Sequence, residues 1–251
     1  MTHSFLLVGQ SNMAGRGFLS EAAPLDTKGG RIKVLRNGRF LEMFRPVSYD
    51  RSFAGSSLAE DFAAAYADAH PDVDVGLIPC ADGGTSLTQW EAGGILFDNA
   101  VNCAKLAMRT STLVGILWHQ GEGDCPPADF PLYRTRFTAI LRALRAELGE
   151  EELPILLGGL GDFLAECRLD DNLKNYPHIN RALQEVAASE PNVAYVPAEG
   201  LASNPDNLHF SAAALREFGL RYYEAFAALN SRVTDTAQKE DGGMKSSMEL
   251  L

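Results

Sequence analysis

The sequence lacks the features that would direct it to a membrane or a nucleic acid. No apolar run is long enough to span a bilayer. Basic residues are outnumbered, with 22 Lys and Arg against 33 Asp and Glu, and the formal net charge is -11. That charge repels nucleic-acid backbones and anionic lipid surfaces, and it favours solubility. We therefore expect no nucleic-acid partner and no membrane partner.

Cysteine is scarce, and its spacing does not match a metal site. In a reducing compartment the cysteines are expected to be buried or incidental thiols. They are Cys80, Cys103, Cys125 and Cys167. The first residues also lack the basic segment and long apolar core of a signal peptide. If Met1 is the native start, a cytoplasmic protein is expected; if a leader precedes it, secretion is expected instead.

Metal and cofactor motifs are missing as well. The glycines at 15 and 17 are not followed by the pattern of a phosphate-binding or dinucleotide-binding loop. His119, Glu122 and Asp124 are disfavoured as metal ligands because no second ligand cluster accompanies them. We expect no metal and no cofactor.

What the chain does contain is an alternation of strand-like and helix-like segments over 251 residues, of which 46% are hydrophobic. Predicted strands cover 5–8, 31–36, 39–43, 73–78, 113–118, 154–157 and 192–196. Predicted helices cover 57–70, 96–108, about 130–148, about 179–189 and a closing segment around 215–229. The alternation predicts an α/β fold with a parallel sheet between two layers of helices. We expect one domain over 1–231 and a flexible polar tail over 232–251.

A glycine-rich loop with a serine follows the first strand. Residues 9–17 read GQSNMAGRG, and Ser11 lies among amide side chains and unhindered backbone. A hydroxyl in such a place can act as a nucleophile, with nearby N–H groups to receive an oxyanion. Alone, the segment is also a common turn composition.

Three further polar segments follow predicted strands: 82–85, 119–122 and 206–209. Sites in open parallel sheets lie beyond the carboxyl ends of the strands, so the four loops should converge on one rim. Asp206 and His209 can then supply an orienting acid and a base for Ser11. The alternatives are that Asp206 is a turn residue and that His209 merely precedes a helix capped by Ser211.

Several groups near the serine could serve substrate binding or an oxyanion. The glycines at 83 and 84 allow a backbone N–H to approach a ligand closely, and Gln120 offers an amide donor. Together with the N–H of Ser11 they would make a three-donor oxyanion hole, each donor contributing on the order of 10²–10³ in rate. Trp90 could form an apolar wall for a sugar ring, although core packing is an equal alternative.

The local motif departs from the Gly-x-Ser-x-Gly elbow of α/β-hydrolases, because Met13 stands where the second glycine would be. It instead resembles the nucleophile block of the SGNH/GDSL hydrolases. Four segments are similar to the ordered blocks of the carbohydrate esterase branch with sialate O-acetylesterases and family 6 acetylxylan esterases. They are 9–15 (GQSNMAG), 79–90 (PCADGGTSLTQW), 118–124 (WHQGEGD) and 206–211 (DNLHFS).

The resemblance implies a three-layer, flavodoxin-like SGNH fold and metal-free removal of O-acetyl groups from carbohydrates. It implies Ser11 as nucleophile and His209 as base. Asp206 holds the position of the orienting acid, with Glu122 as the alternative. It also implies an oxyanion hole formed by Ser11, Gln120 and a glycine, which we place at Gly84 with Gly83 as the alternative.

We therefore predict a serine esterase that deacetylates a sialic acid, a xylo-oligosaccharide or a related acetyl sugar through an acyl-enzyme. Arg16 and Trp90 are the predicted substrate-binding residues, since a sialic acid needs a cationic contact; Arg16 could equally brace the loop. Two other functions fit the same motifs: a non-catalytic carbohydrate-binding protein, and a short-chain lipase or thioesterase. The oligomeric state is left open.

Overall fold

The computed structural model describes the backbone of residues 1–248 and the side chains of residues 1–231. The strands are β1 (Thr2–Gly9), β2 (Ile32–Arg36), β3 (Arg39–Glu42), β4 (Asp74–Pro79), β5 (Thr112–His119), β6 (Ile155–Gly158) and β7 (Val193–Val196). The helices are α1 (Ser11–Ala14), α2 (Leu58–Ala69), α3 (Ile95–Ala107), α4 (Tyr133–Leu148), α5 (Tyr176–Ser189) and α6 (Ala212–Met248). The predicted tail, 232–251, lies outside the fully described residues, so that boundary stays a prediction.

The strands form one seven-stranded sheet in the order β3-β2-β4-β1-β5-β6-β7. Every neighbouring pair is parallel except β2 and β3, which are joined as an antiparallel hairpin. Asn37 and Gly38 make its turn with φ of 48° and 75°, the left-handed conformation that two-residue hairpins need. Across the sheet, the next five strands are β4, β1, β5, β6 and β7. Numbered by their order in the chain, these five follow the flavodoxin-like order 2-1-3-4-5. The predicted α/β fold with a mostly parallel sheet is confirmed.

Helices cover both faces of this sheet. Leu6 and Val8 of β1 belong to a core shared with α3, α4 and α5, whereas Phe5 and Leu7 belong to a core shared with α2 and α6. Successive side chains of a strand point to opposite faces, so each buried strand supplies both cores. This explains why the strands appear in the sequence as short continuous apolar runs.

The helix starts follow the expected chemistry. Ser57 and Glu60 form a capping box at the start of α2. At the start of α6, Ser211 Oγ accepts the N–H of Ala214 at 3.2 Å, which confirms it as a cap. Helix α5 begins at Tyr176, earlier than the predicted start near 179, and Pro177 occupies its first turn.

None of the described helices combines the length and the apolar character that a membrane crossing requires. The four cysteines are free thiols; one is partly exposed and the other three are buried.

Candidate active site

The serine loop is held at the end of β1 by a close contact with β5. Gly9 has a φ of +132°, and a side chain there would collide with the carbonyl of His119. The N–H of Gln10 donates to that carbonyl at 2.9 Å. Ser11 follows at once as the first residue of α1, 7% exposed, and so lies just beyond the carboxyl end of the sheet.

A continuous line of hydrogen bonds joins Ser11, His209 and Asp206. Ser11 Oγ lies 3.0 Å from His209 Nε2. The other ring nitrogen, His209 Nδ1, lies 2.8 Å from Asp206 Oδ2. The structure therefore brings together the three side chains predicted as nucleophile, base and orienting acid, from opposite ends of the chain.

Asp206 is held by its own turn in the orientation that the ring requires. Its Oδ1 accepts the N–H groups of Leu208 at 2.9 Å and His209 at 3.0 Å. Burial raises the pKa of Asp206, but these two backbone bonds and the bond to the His209 ring outweigh burial and hold that pKa below its usual range. The carboxylate is therefore charged at neutral pH and can fix the tautomer of His209.

Glu122, the alternative acid, contacts a different partner. Its Oε1 accepts from Asn12 Nδ2 at 2.6 Å. Asn12 also donates to the carbonyl of Leu208 at 3.2 Å and accepts the N–H of Phe210 at 3.1 Å. Glu122 and Asn12 thus join the serine loop to the turn that carries His209. The geometry places Asp206, not Glu122, against the histidine ring.

Two backbone N–H groups are candidates for an oxyanion hole. Ser11 is the first residue of α1, so its N–H has no partner within the helix. The N–H of Gly83 donates to Asp50 Oδ2 at 3.0 Å and is therefore occupied. Gly84 is exposed, has a φ of +77°, and its N–H bonds to none of the described residues. The geometry thus favours Gly84 over Gly83.

Gln120 differs from its predicted role. Its side chain is fully buried, and its amide donates both to the carbonyl of Thr85 at 3.1 Å and to Asp124 Oδ2 at 2.6 Å. Both N–H bonds of the amide are thus engaged within the protein. Gln120 ties the segment around Thr85 to the loop after β5 and has no free donor for an oxyanion in this structure.

The prediction that Trp90 lines a sugar site is wrong. Its side chain is fully buried, and its ring meets the ring of Trp118 edge to face at 5.6 Å between centroids. The indole N–H donates to Thr85 Oγ1 at 3.1 Å. Trp90 is a core residue with its one polar group satisfied, which is the alternative that the sequence left open.

Arg16, the predicted contact for an acidic sugar, is paired inside the protein. Its guanidinium bonds to both carboxylate oxygens of Asp50, at 2.5 and 3.1 Å, and to the carbonyl of Gly15. The Arg16 side chain is 5% exposed and that of Asp50 is 3% exposed. Arg16 therefore braces the serine loop, as the alternative interpretation held.

The acidic loop after β5 does not assemble a metal site. His119 Nε2 donates to the carbonyl of Gly159 at 3.1 Å, and burial lowers the pKa of this histidine. Its Nδ1 lies 4.0 Å from Glu122, while Asp124 accepts the N–H of Leu87. Among the described residues, no three His, Cys, Asp or Glu side chains are arranged to hold a metal ion.

Three residues that organise the site were not singled out from the sequence. Gln10 accepts the N–H groups of Gly121 and Gly123 through its Oε1, at 3.4 and 3.2 Å. Asn12 connects to Glu122, as described above. Gln10 and Asn12 are the direct neighbours of Ser11, so their position in the sequence could have identified them as site residues. Asp50 lies in no motif, and nothing in the sequence marks it as the partner of the serine loop.

A mostly parallel sheet in this order is a fold shared with SGNH- and lipase-like hydrolases. Beyond its strand ends lie a serine, a histidine and an aspartate in hydrogen-bond contact. A family model described as carbohydrate esterase, sialic acid-specific acetylesterase, matches residues 1–228. The chain belongs to this family.

Similar proteins agree with this assignment. The chain is 28% identical to the probable carbohydrate esterase At4g34215 of Arabidopsis thaliana, and the alignment covers 88% of this chain and 89% of the relative. The X-ray structure of the Arabidopsis protein superposes with a TM-score of 0.78 at 25% identity, covering 90% of this chain and 98% of that one. NanS superposes with a TM-score of 0.71 at 19% identity over 92% and 98% of the two chains. The carbohydrate acetylesterase XAC1771 of Xanthomonas citri gives 0.61 at 19% identity over 89% of this chain and 55% of that one. The last two likenesses show the fold.

Proposed function

We propose that the protein is a serine esterase that removes O-acetyl groups from a sialic acid, a xylo-oligosaccharide or a related acetylated sugar through an acyl-enzyme. The observation that carries the proposal is the hydrogen-bonded line from Ser11 Oγ through His209 to Asp206. Membership of a carbohydrate esterase family supports the carbohydrate as the substrate class.

The first half of the reaction uses the serine and the histidine. His209 Nε2 takes the proton of Ser11 Oγ as the oxygen attacks the acetyl carbonyl carbon. The carbonyl oxygen becomes an oxyanion, which the N–H groups of Ser11 and Gly84 can receive. The bond to the sugar oxygen then breaks, His209 gives its proton to that oxygen, and the sugar leaves as a free alcohol.

The second half releases acetate. A water molecule gives a proton to His209 Nε2 and attacks the acetyl group on Ser11. The tetrahedral adduct collapses, the proton returns to Ser11 Oγ, and acetic acid leaves and ionises to acetate in water. Throughout, Asp206 stabilises the positive imidazolium of His209 and keeps its Nδ1 protonated.

The length of the acyl chain separates this proposal from a lipase or thioesterase. The family model describes an acetylesterase, so acetyl is the expected acyl group. We therefore expect kcat/KM on p-nitrophenyl esters to fall by at least about tenfold from acetate to octanoate. Initial rates across acetate, butyrate and octanoate measure this. Equal or higher rates on octanoate would instead identify an enzyme for longer acyl chains.

A further inference from the structure

A groove borders the side chain of His209, the proposed base. It has a volume of about 430 Å³, and its lining includes Phe18, Leu19, Phe53, Arg16, Asp206 and His209. In the proposed reaction His209 must protonate the alcohol that leaves. A groove beside this ring is therefore the place for the sugar part of the substrate.

The charges of this groove do not suit an anionic sugar. Arg16 is the one cationic residue in the described lining, and both Asp50 oxygens neutralise it. Arg51, which directly precedes the lining residues Ser52 and Phe53, is paired with Asp82 at 2.9 Å and donates to the carbonyl of Gly83 at 2.8 Å. Asp206 adds a negative charge to the same lining. A carboxylate bound here would meet a carboxylate and no unpaired cation, which is unfavourable.

The groove instead offers exposed apolar surface. Phe53 is 70% exposed, Phe18 46% and Leu19 50%. The guanidinium carbon of Arg16 lies 5.3 Å from the centre of the Phe53 ring, a contact that holds the ring beside the groove. Large apolar side chains that stay exposed along a groove mark a binding surface. The C–H face of a neutral sugar ring matches such a surface.

We infer that the groove selects acetylated sugars without a carboxylate, such as the neutral units of an acetylated xylo-oligosaccharide, over acetylated sialic acids. This inference rests on the proposed esterase function and specifies its substrate class. It assigns Phe53 as a substrate-binding residue and Arg16 as a brace rather than an anion contact.

Three substrates test the effect of charge: O-acetylated sialic acid, its carboxamide, and an acetylated xylo-oligosaccharide. The carboxamide keeps the sialic acid ring and removes only the negative charge. We expect kcat/KM for the carboxamide and for the xylo-oligosaccharide to exceed that for the acid by at least about tenfold. Equal or faster release of acetate from the acid would overturn the inference and leave the proposed esterase function standing. If none of the three sugars released acetate, both the inference about charge and the proposed esterase function would be overturned.

A substitution tests the apolar surface. Phe53→Ala is expected to raise KM for the xylo-oligosaccharide by about tenfold, and by clearly less for p-nitrophenyl acetate, because the small ester has no sugar to stack. The matched control is Tyr49→Ala, which removes another exposed aromatic ring that is outside the groove lining and should leave both KM values unchanged. Equal effects of Phe53→Ala on the two substrates would overturn the assignment of Phe53.

Discussion

Ser11→Ala should lower kcat on p-nitrophenyl acetate by a factor on the order of 10⁶, the size of loss that removal of a nucleophilic serine causes in a related mechanism. The substitution removes one oxygen that bonds to His209 Nε2 at 3.0 Å, and it leaves a small side chain that fits the same space. The fold should therefore survive while covalent catalysis is lost. Steady-state hydrolysis measures the loss, and the thermal unfolding curve checks the fold.

The matched control is Ser231→Ala, which removes an exposed hydroxyl on α6 that donates to the carbonyl of Ala228. Its activity should equal that of the unmodified protein. A serine-directed fluorophosphonate should label Ser11 in the unmodified chain, whereas a carbohydrate-binding protein without turnover would not react. If Ser11→Ala keeps more than about a tenth of the activity, another group is the nucleophile.

Asp206→Asn should lower kcat by about 10⁴, because an amide donates to His209 Nδ1 and forces the ring into the wrong tautomer. The turn itself should persist, since the amide oxygen can still accept the backbone N–H groups of Leu208 and His209. The loss should therefore appear in kcat with little change in the folded state. Stopped-assay kinetics at neutral pH, where the Asp206 carboxylate is charged, give the comparison.

Glu122→Gln is the matched change at the other acidic candidate. Its oxygen can still accept from Asn12, and the residue does not contact His209, so we expect less than about a tenfold loss of kcat. Each of the two variants replaces one carboxylate with an amide of the same size. A loss of only a few-fold for Asp206→Asn together with a large loss for Glu122→Gln would move the orienting role to Glu122.

Much of the fold could be predicted because its signals are local. The pair Asn37-Gly38 has the left-handed conformations that a two-residue hairpin demands, and Ser211 caps α6 as its position indicates. The ends of the strands could be predicted less well. Strand β1 begins at Thr2 rather than at the apolar residue Phe5, because backbone pairing with β4 and β5 continues through polar residues.

The relation between Ser11, His209 and Asp206 could also be predicted, since parallel strands bring their carboxyl-end loops to one rim. The hydrogen-bond and packing partners of the side chains at that rim could not be predicted from the sequence. Gln120 looks like a free donor in the sequence, but Asp124 and Thr85 engage its amide. Trp90 looks like a binding-site aromatic, yet it packs against Trp118. Such outcomes depend on which buried polar groups need partners in three dimensions.

In the proposed reaction, Ser11 carries the acetyl group of a carbohydrate ester during turnover. The most direct measurement is an acid quench of the unmodified protein during hydrolysis of an acetylated xylo-oligosaccharide, followed by peptide mass spectrometry. We expect an acetyl group on the peptide that contains Ser11, and we expect no acetylated peptide in the Ser11→Ala variant. Acetate release with the acetyl group on another residue, or with the same adduct in Ser11→Ala, would contradict the proposed reaction.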